Sequence, residues 1–381
     1  ESFAGWNVIR YKDGLFGKFT GVDTALSPYY DFSLDYDTDG YIKINGDLRN
    51  APNELSDIVV TSLAIAQTRM YRSAYQQISR EWMSECPEHP QYRGSRGTAA
   101  RTAWMNFIGR GEDFTSNYHR ENYNFQSYGV QAGMSFLSNC NHSFGLLFGR
   151  EEGKLNNSLD EVRNEDYYLG FYYGQVFASG LDMRAYIGGG WQDNRLTRTH
   201  HENRFKAGYD GNTYNMDIEF GRRFIGTHGW IVRPFTGADL QVSRIGGALE
   251  KSVDVPDSNE YREYKRSELT MLFLRLGLET SRSWQKIDFH AGTNLAYNIA
   301  DARPFQKIYY PAAEGIMVRN WVEGGAARLG RFEWAFNLGM NWFLSERRNT
   351  LFFLDYNADV YLDRSGDTSA GTGTLGFVWR F

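Results

Sequence analysis

Phe332–Leu344 reads FEWAFNLGMNWFL. Its even positions, Phe332, Trp334, Phe336, Leu338, Met340, Trp342 and Leu344, are apolar, and between them stand Glu333, Ala335, Asn337, Gly339 and Asn341. Side chains of a strand point alternately to its two faces, so one face here is apolar and aromatic while the other is small, charged or amide. The pattern returns in 351–361, where Phe352, Leu354, Tyr356, Ala358 and Val360 alternate with Phe353, Asp355, Asn357 and Asp359. It returns in 229–243 (Trp230, Val232, Ala238, Leu240 and Val242 against Arg233, Gly237, Asp239, Gln241 and Ser243). In 287–298 Ile287, Phe289, Ala291, Leu295 and Tyr297 alternate with Asp288, His290, Gly292, Asn294 and Asn298. Strands of soluble sandwiches alternate too, but run to about five or six residues. Strands of ten or more residues with aromatics near their ends fit a bilayer crossing.

Twelve such stretches follow one another, at 101–112, 126–138, 143–154, 166–177, 181–195, 211–225, 229–244, 268–282, 286–299, 332–344, 350–361 and 370–381. An even number lets an antiparallel barrel close with both ends on one side of the membrane. The connections alternate in length. Those at 139–142, 178–180, 226–228, 283–285 and 345–349 are short; those at 113–125, 155–165, 196–210, 245–267, 300–331 and 362–369 are long. Short turns on the periplasmic side and long loops outside are the habit of outer-membrane barrels.

Composition agrees. Aromatics make up 16% of the chain, with 40 Gly against 8 Pro, which suits many strands joined by tight turns. Mean hydropathy is −0.54 and no run of 18 apolar residues occurs, which excludes membrane-spanning helices but not strands, whose alternation averages out as polar. A net charge of −5 without a basic block gives no reason to expect nucleic acid. ESFAGWNVIR at the start has neither the n-region nor the h-region of a signal peptide, so an exported protein is expected to continue upstream.

One segment departs from period two. Asn53–Trp82, NELSDIVVTSLAIAQTRMYRSAYQQISREW, carries Leu55, Ile58, Val59, Leu63, Ala66, Met70, Ala74, Ile78 and Trp82 at helical spacing. Pro52 and Asn53 supply a start signal, Glu54 and Asp57 lie in the first turns, and Arg69, Arg72 and Arg80 come late, as the helix dipole prefers. Such a helix would be roughly 40 Å long. Its apolar run is short and Arg69 and Arg72 sit near its middle, so it does not span the bilayer itself. An eight-stranded barrel is filled by its own side chains and a sixteen-stranded one is open; twelve strands can accept one helix of about 10–12 Å diameter. The helix is therefore expected to plug the lumen, with Leu55, Ile58, Val59, Leu63, Arg69 and Arg72 as its contact residues. Arg184, Asp217, Glu219, Arg233, Asp239, Arg275, Glu333, Asp355 and Asp359 are expected to face that lumen, as a wet wall or as partners of Arg69 and Arg72.

The fold class expected is thus an all-β membrane protein. A twelve-stranded antiparallel transmembrane β-barrel occupies 101–381, with one α-helix (51–82) through its lumen and a polar periplasmic linker at 83–100. Residues 1–50, short strands with a turn at Asp37-Thr38-Asp39-Gly40, read as the end of a β-structure that begins upstream.

This order of parts resembles the translocation domain of type V secretion proteins, the type Va autotransporters. The resemblance extends to RTAWMNFIGRGEDF (101–114), SYGVQAGMSF (127–136), YYLGFYYG (167–174), GYDGNTYNMDIEFGRRF (208–224), GWIVRPFTGADLQVSR (229–244) and the terminal TLGFVWRF (374–381). In the last, Thr374, Gly376, Trp379 and Phe381 match the ending that the outer-membrane barrel-assembly machinery reads. The resemblance implies a translocator in the bacterial outer membrane that exports an N-terminal passenger, with 1–50 as the end of a β-helical passenger, the passenger end outside and the carboxyl terminus periplasmic. It also implies outer-membrane lipid, the assembly machinery, periplasmic chaperones and the passenger in cis as partners, a monomer, no cofactor, no metal and no enzyme activity. One subgroup cleaves its passenger at an Asn–Asn bond in the helix; Asn50–Ala51 and Asn53–Glu54 stand here instead, so cleavage by that route is not expected.

A barrel porin and a barrel hydrolase are the alternatives. His89, His119, His142, His200, His201 and His228 fall mostly in loops and turns, and the His200–His201 pair has no clustered third ligand. His290, with Asp288 on the same face, is the histidine expected in the lumen. No phosphate loop or CxxC is present. Cys86, just past the helix, and Cys140, in the 139–142 turn, are both expected at the periplasmic rim and form a candidate disulfide.

Overall fold

The computed structural model describes residues 3–10, 30–36, 41–48, 70–85, 100–115, 122–139, 141–156, 160–200, 203–256, 258, 260–300, 305–309, 321–325, 331–345, 349–362 and 368–381. Strands β1 (Phe3–Arg10), β2 (Tyr30–Tyr36) and β3 (Tyr41–Leu48) form a small antiparallel sheet in the order β1-β3-β2. Helix α1 follows at Met70–Glu85. After it come β4 (Ala100–Thr115), β5 (Asn122–Ser138), β6 (His142–Asn156), β7 (Asp160–Val176), β8 (Leu181–His200) and β9 (Asn203–Arg222). The short β10 (Phe224–Ile225) precedes β11 (Trp230–Ile245), and β12 (Ala248–Leu249), β13 (Lys251–Ser252) and β14 (Glu263–Tyr264) lie before β15 (Ser267–Trp284). Then come β16 (Ile287–Asn298), β17 (Phe305–Tyr309), β18 (Trp321–Gly325), β19 (Phe332–Phe343), β20 (Thr350–Leu362) and β21 (Thr368–Arg380).

Twelve of these strands close an antiparallel barrel, β4-β5-β6-β7-β8-β9-β11-β15-β16-β19-β20-β21 and back to β4. The seam is a full ladder: Arg101 donates its backbone N–H to Phe381 O at 3.1 Å and accepts from Phe381 N at 3.0 Å. Closure leaves no unpaired edge in the bilayer. Along β20 the outward Leu354 and Tyr356 are exposed while Asp355, Asn357 and Asp359 are buried, the alternation expected where lipid meets one face and an enclosed lumen the other. Outward aromatics pair near the strand ends, Tyr297 with Phe332 at 5.0 Å and Trp284 with Phe289 at 5.3 Å.

The wall is of uneven height. β8 and β9 run 20 residues each, β16 and β19 only 12. The connections expected as long loops at 155–165 and 196–210 are in fact mostly strand, since β6 ends at Asn156, β7 begins at Asp160, β8 ends at His200 and β9 begins at Asn203. The reason is an inversion of the pattern. Here Leu155, Val162, Leu196, Phe205 and Tyr209 are buried on the inner face, while Lys154, Arg163, Arg195 and Lys206 are exposed. Outside the bilayer the charged side chains turn outward to water, and an alternation of opposite polarity reads as a polar loop. Between the shorter strands, β12, β14, β17 and β18 form a second small sheet, and β13 pairs with the upper part of β9.

Candidate functional site

Helix α1 lies inside the barrel, and each of its faces meets a different part of the wall. Arg72, Gln76 and Arg80, one helical turn apart, form a polar stripe toward β19 and β20. Arg72 donates to both oxygens of Asp359 at 2.6 and 2.7 Å and to Glu333 at 3.0 Å. Gln76 reaches Asn357 at 3.4 Å. Arg80 pairs with Asp355, donates to Asn341 at 3.2 Å, and lies 3.5 Å over the Phe353 ring. Glu81 accepts from Gln77 at 2.9 Å on the helix and from Ser135 and Ser143 on either side of the 139–142 turn.

The opposite stripe, Met70, Ala74, Ile78 and Trp82, is buried in a cluster with Trp104, Leu147, Tyr168, Tyr172 and Tyr186. This contact is possible because the wall of β6 to β8 is stripped to glycine at the right places. A Cβ on Gly174 would stand 2.7 Å from Ile78 and 2.8 Å from Trp82, and the tyrosine rings lie across Gly145, Gly149 and Gly170. Glycine there removes the atom that would hold helix and rings off the wall. Tyr75 donates to the backbone oxygen of Arg184 at 3.1 Å, and Arg275 sits 4.5 Å over Tyr71. The helix is off-centre: a cavity of about 110 Å³ remains beside Tyr75 and Gln76, against His290, Asn294, Ala335 and Asn337.

The residues expected in the lumen are distributed as follows. Arg184 makes a two-pronged bond to Glu279, both at 3.0 Å. Arg233 bridges Asp182 at 2.5 Å and Glu219 at 2.6 Å, Arg275 pairs with Asp217, and Asp239 accepts from Asn215 at 3.0 Å and Gln241 at 2.9 Å. These groups belong mostly to a network within the wall, whereas Glu333, Asp355 and Asp359 hold the helix. Every buried carboxylate–guanidinium contact here answers the cost of placing a charge away from water. Of the helix residues singled out from the sequence, Arg72 is in the contact; Leu55, Ile58, Val59, Leu63 and Arg69 lie outside the described residues, as do Cys86 and Cys140. In the terminal motif Thr374 is buried, Trp379 and Phe381 face outward, and a Cβ on Gly376 would meet Asn106 and Phe353 at 2.7 Å.

Sequence reasoning placed Arg80 on the helix without giving it a partner on the wall, and it missed Glu81 and the inward tyrosines. The spacing of Arg72, Gln76 and Arg80 held the signal for the contact of Arg80, and Gly170-x-Tyr172-x-Gly174 on one strand face held it for the tyrosines.

No curated protein sequence matches the chain. Among solved structures it is similar to the translocator domain of autotransporter NalP from Neisseria meningitidis, with a TM-score of 0.61 at 11% identity over 84% of this chain and 97% of that one. Matches also run to the β-domain of the Bordetella autotransporter BrkA (TM-score 0.48, 16% identity, 74% and 99%) and the transport unit of AIDA-I from Escherichia coli (0.49, 12%, 80% and 97%). The sequence model of the autotransporter β-domain family matches residues 103–357, more than half of the chain. The chain belongs to that family and is an outer-membrane barrel serving the export of a passenger.

Proposed function

We propose that α1 is the resting plug of the translocator: the passenger leaves through the barrel, and the helix then occludes the lumen. The observation that carries this reading is the anchoring of Arg72 and Arg80 to Glu333, Asp355 and Asp359 on one side with Ile78 and Trp82 packed on the other. A helix held on two opposite walls blocks the conduit. Residues 1–50 are then the passenger end, outside the cell; 51–85 the linker helix, which runs three residues past the Trp82 end expected from the sequence; 86–99 a periplasmic linker; and 100–381 the inserted barrel, with Phe381 periplasmic. The uneven rims support this orientation, since the turns at 177–180 and 285–286 are tight while the other end carries the tall wall and the second sheet. Thr374, Gly376, Trp379 and Phe381 are the assembly signal, periplasmic chaperones escort the chain before insertion, and the barrel works as a monomer.

The test is single-channel conductance in planar bilayers of the full chain and of a deletion lacking residues 51–85. The deletion is expected to conduct severalfold more. Equal traces would mean that another element closes the pore, as in a diffusion porin.

The reading includes no hydrolase activity. Ser281 stands directly across from His290, and His290 Nε2 lies 2.9 Å from Asp355 Oδ1. Serine chemistry needs that nitrogen for the hydroxyl proton and the other for the carboxylate. Arg80 already neutralises Asp355, which leaves it little role in stabilising an imidazolium.

A further inference from the structure

The outward face of the tall wall is charged in layers. Tyr167 of β7 and Trp191 of β8 stack at 6.2 Å, at the upper limit of an apolar belt that includes the exposed Leu169, Phe171 and Ile187. One outward step higher stands a row of carboxylates in direct cross-strand register, Glu152, Glu165, Asp193 and Asp210. The next row is basic: Lys154 faces Arg163, Arg163 faces Arg195, and Arg195 faces Gly208. In the row above, Lys206 of β9 faces Lys251 of β13.

Like charges directly opposite each other on neighbouring strands oppose the pairing. Here two such pairs, Arg163–Arg195 and Lys206–Lys251, line one groove of about 600 Å³ together with Glu161, Asp193 and Leu249. Glu161 bonds Arg163 at 2.6 Å and Lys154 at 2.8 Å, and Asp193 bonds Arg195 at 3.2 Å. Four bases against two acids leave the groove positive. Arg163 and Arg195 are each 71% exposed, and Gly208, next to Arg195 on β9, adds no side chain to the groove.

Height identifies the ligand. From Trp191 to Arg195 the strand rises about 13 Å, which a tilt of about 40° turns into roughly 10 Å along the barrel axis. At the level of the aromatic belt, where a glycerophospholipid carries its phosphate, the base is Arg150, in register with Tyr167, and Glu152 at 2.6 Å and Glu165 at 3.2 Å already take it up, so that level offers a phosphate no surplus positive charge. An anion suited to the basic groove is therefore carried farther from the acyl chains. We propose that the groove formed by Arg163, Arg195, Lys206 and Lys251 binds the phosphorylated saccharide headgroup of an outer-leaflet glycolipid, whose tails lie on the belt below. Clustered basic residues beside a membrane surface recruit anionic headgroups in this way.

The proposal rests on the orientation given under Proposed function, and the two are tested apart. The full chain in phosphatidylcholine nanodiscs is titrated with labelled lipopolysaccharide, with its dephosphorylated form, and in competition with phosphatidylglycerol vesicles or inorganic phosphate. The double variant Lys206→Glu/Lys251→Glu is expected to bind lipopolysaccharide roughly thirtyfold more weakly, the worth of two basic residues at a charged surface, and Lys206→Arg/Lys251→Arg to bind as before. Retained heat-modifiability on gels controls for folding. Equal affinity of the full chain and the charge-reversed variant overturns the site. Equal binding of the dephosphorylated form overturns the phosphate chemistry, and full competition by phosphatidylglycerol or free phosphate overturns the choice of glycolipid. Thr199→Cys on intact cells reports the orientation: labelling by a membrane-impermeant maleimide is expected, and its absence removes the proposal whatever the affinities.

Discussion

Arg80 of the helix and Asp355 of β20 form an ion pair with both side chains out of solvent, 2% and 0% exposed, and His290 Nε2 stands 2.9 Å from the same carboxylate. Such a pair contributes little beyond what its desolvation costs, but breaking it leaves one charge buried alone, at about 3–5 kcal/mol. Arg80→Met should therefore lower the unfolding temperature of the detergent-solubilised barrel and raise its conductance by freeing the helix. Arg80→Met/Asp355→Leu should recover most of the stability, since an apolar pair of similar volume can replace a buried ion pair. If the double variant is no more stable than the single one, the pair is not what holds the helix there.

Gly174 admits the helix to the wall. A Cβ at that position would lie 2.7 Å from Ile78 Cγ2 and 2.8 Å from Trp82 Cζ2, both in a fully buried cluster that cannot give way without displacing the helix. Gly174→Val is expected to unseat α1, read as raised conductance and protease access to residues 70–85. Gly109→Val is the control, because nothing lies within 4 Å of its Cβ. Matching conductance of the two variants would remove the role given to Gly174.

Phe381 makes its barrel-closing bonds through the backbone, while its side chain is 70% exposed on the outer surface. Phe381→Ser keeps the ladder to Arg101. The purified variant should therefore refold in detergent with nearly the parental heat-modifiability, yet fail to accumulate in the outer membrane of cells. Normal cellular levels would show that TLGFVWRF is not read as a signal; failure to refold would show that the side chain serves the barrel itself.

Most of the barrel was legible because the bilayer imposes a single rule on each strand it contains, as in Phe332–Leu344. Legibility ended where that rule changes sign. Above the membrane Leu196, Phe205 and Tyr209 turn inward and Arg195 and Lys206 outward, so strand continuations at 155–165 and 196–210 passed for loops. The lumen was half legible. Glu333, Asp355 and Asp359 stood out as polar residues on an inward face, but which arginine they meet depends on where along the axis the helix rests. Tyr168, Tyr172 and Tyr186 were hidden by the assumption that an inward face is polar; a lumen filled by a helix is a protein core, and aromatics belong in it.

The last prediction concerns Cys86 and Cys140, both outside the described residues. Glu81, one helical turn before the end of α1 at Glu85, accepts bonds from Ser135 and Ser143, which flank the turn that contains Cys140. The helix end and that turn are therefore neighbours, and Cys86 is the next residue of the chain after Glu85. A disulfide needs Cα atoms within about 7 Å and an oxidising compartment, which the periplasm supplies. Closing a loop of about fifty residues would stabilise the barrel by up to ~4 kcal/mol in the chain-entropy model, and would pin the end of the plug to the wall. Protein from freshly isolated outer membranes should resist alkylation until reduced. Reduction should lower the unfolding temperature and make Arg80→Met more damaging, because tether and ion pair hold the same helix. Alkylation of both thiols without reductant would rule the bond out, and an unfolding temperature indifferent to reductant would leave the bond without the stabilising role argued for it.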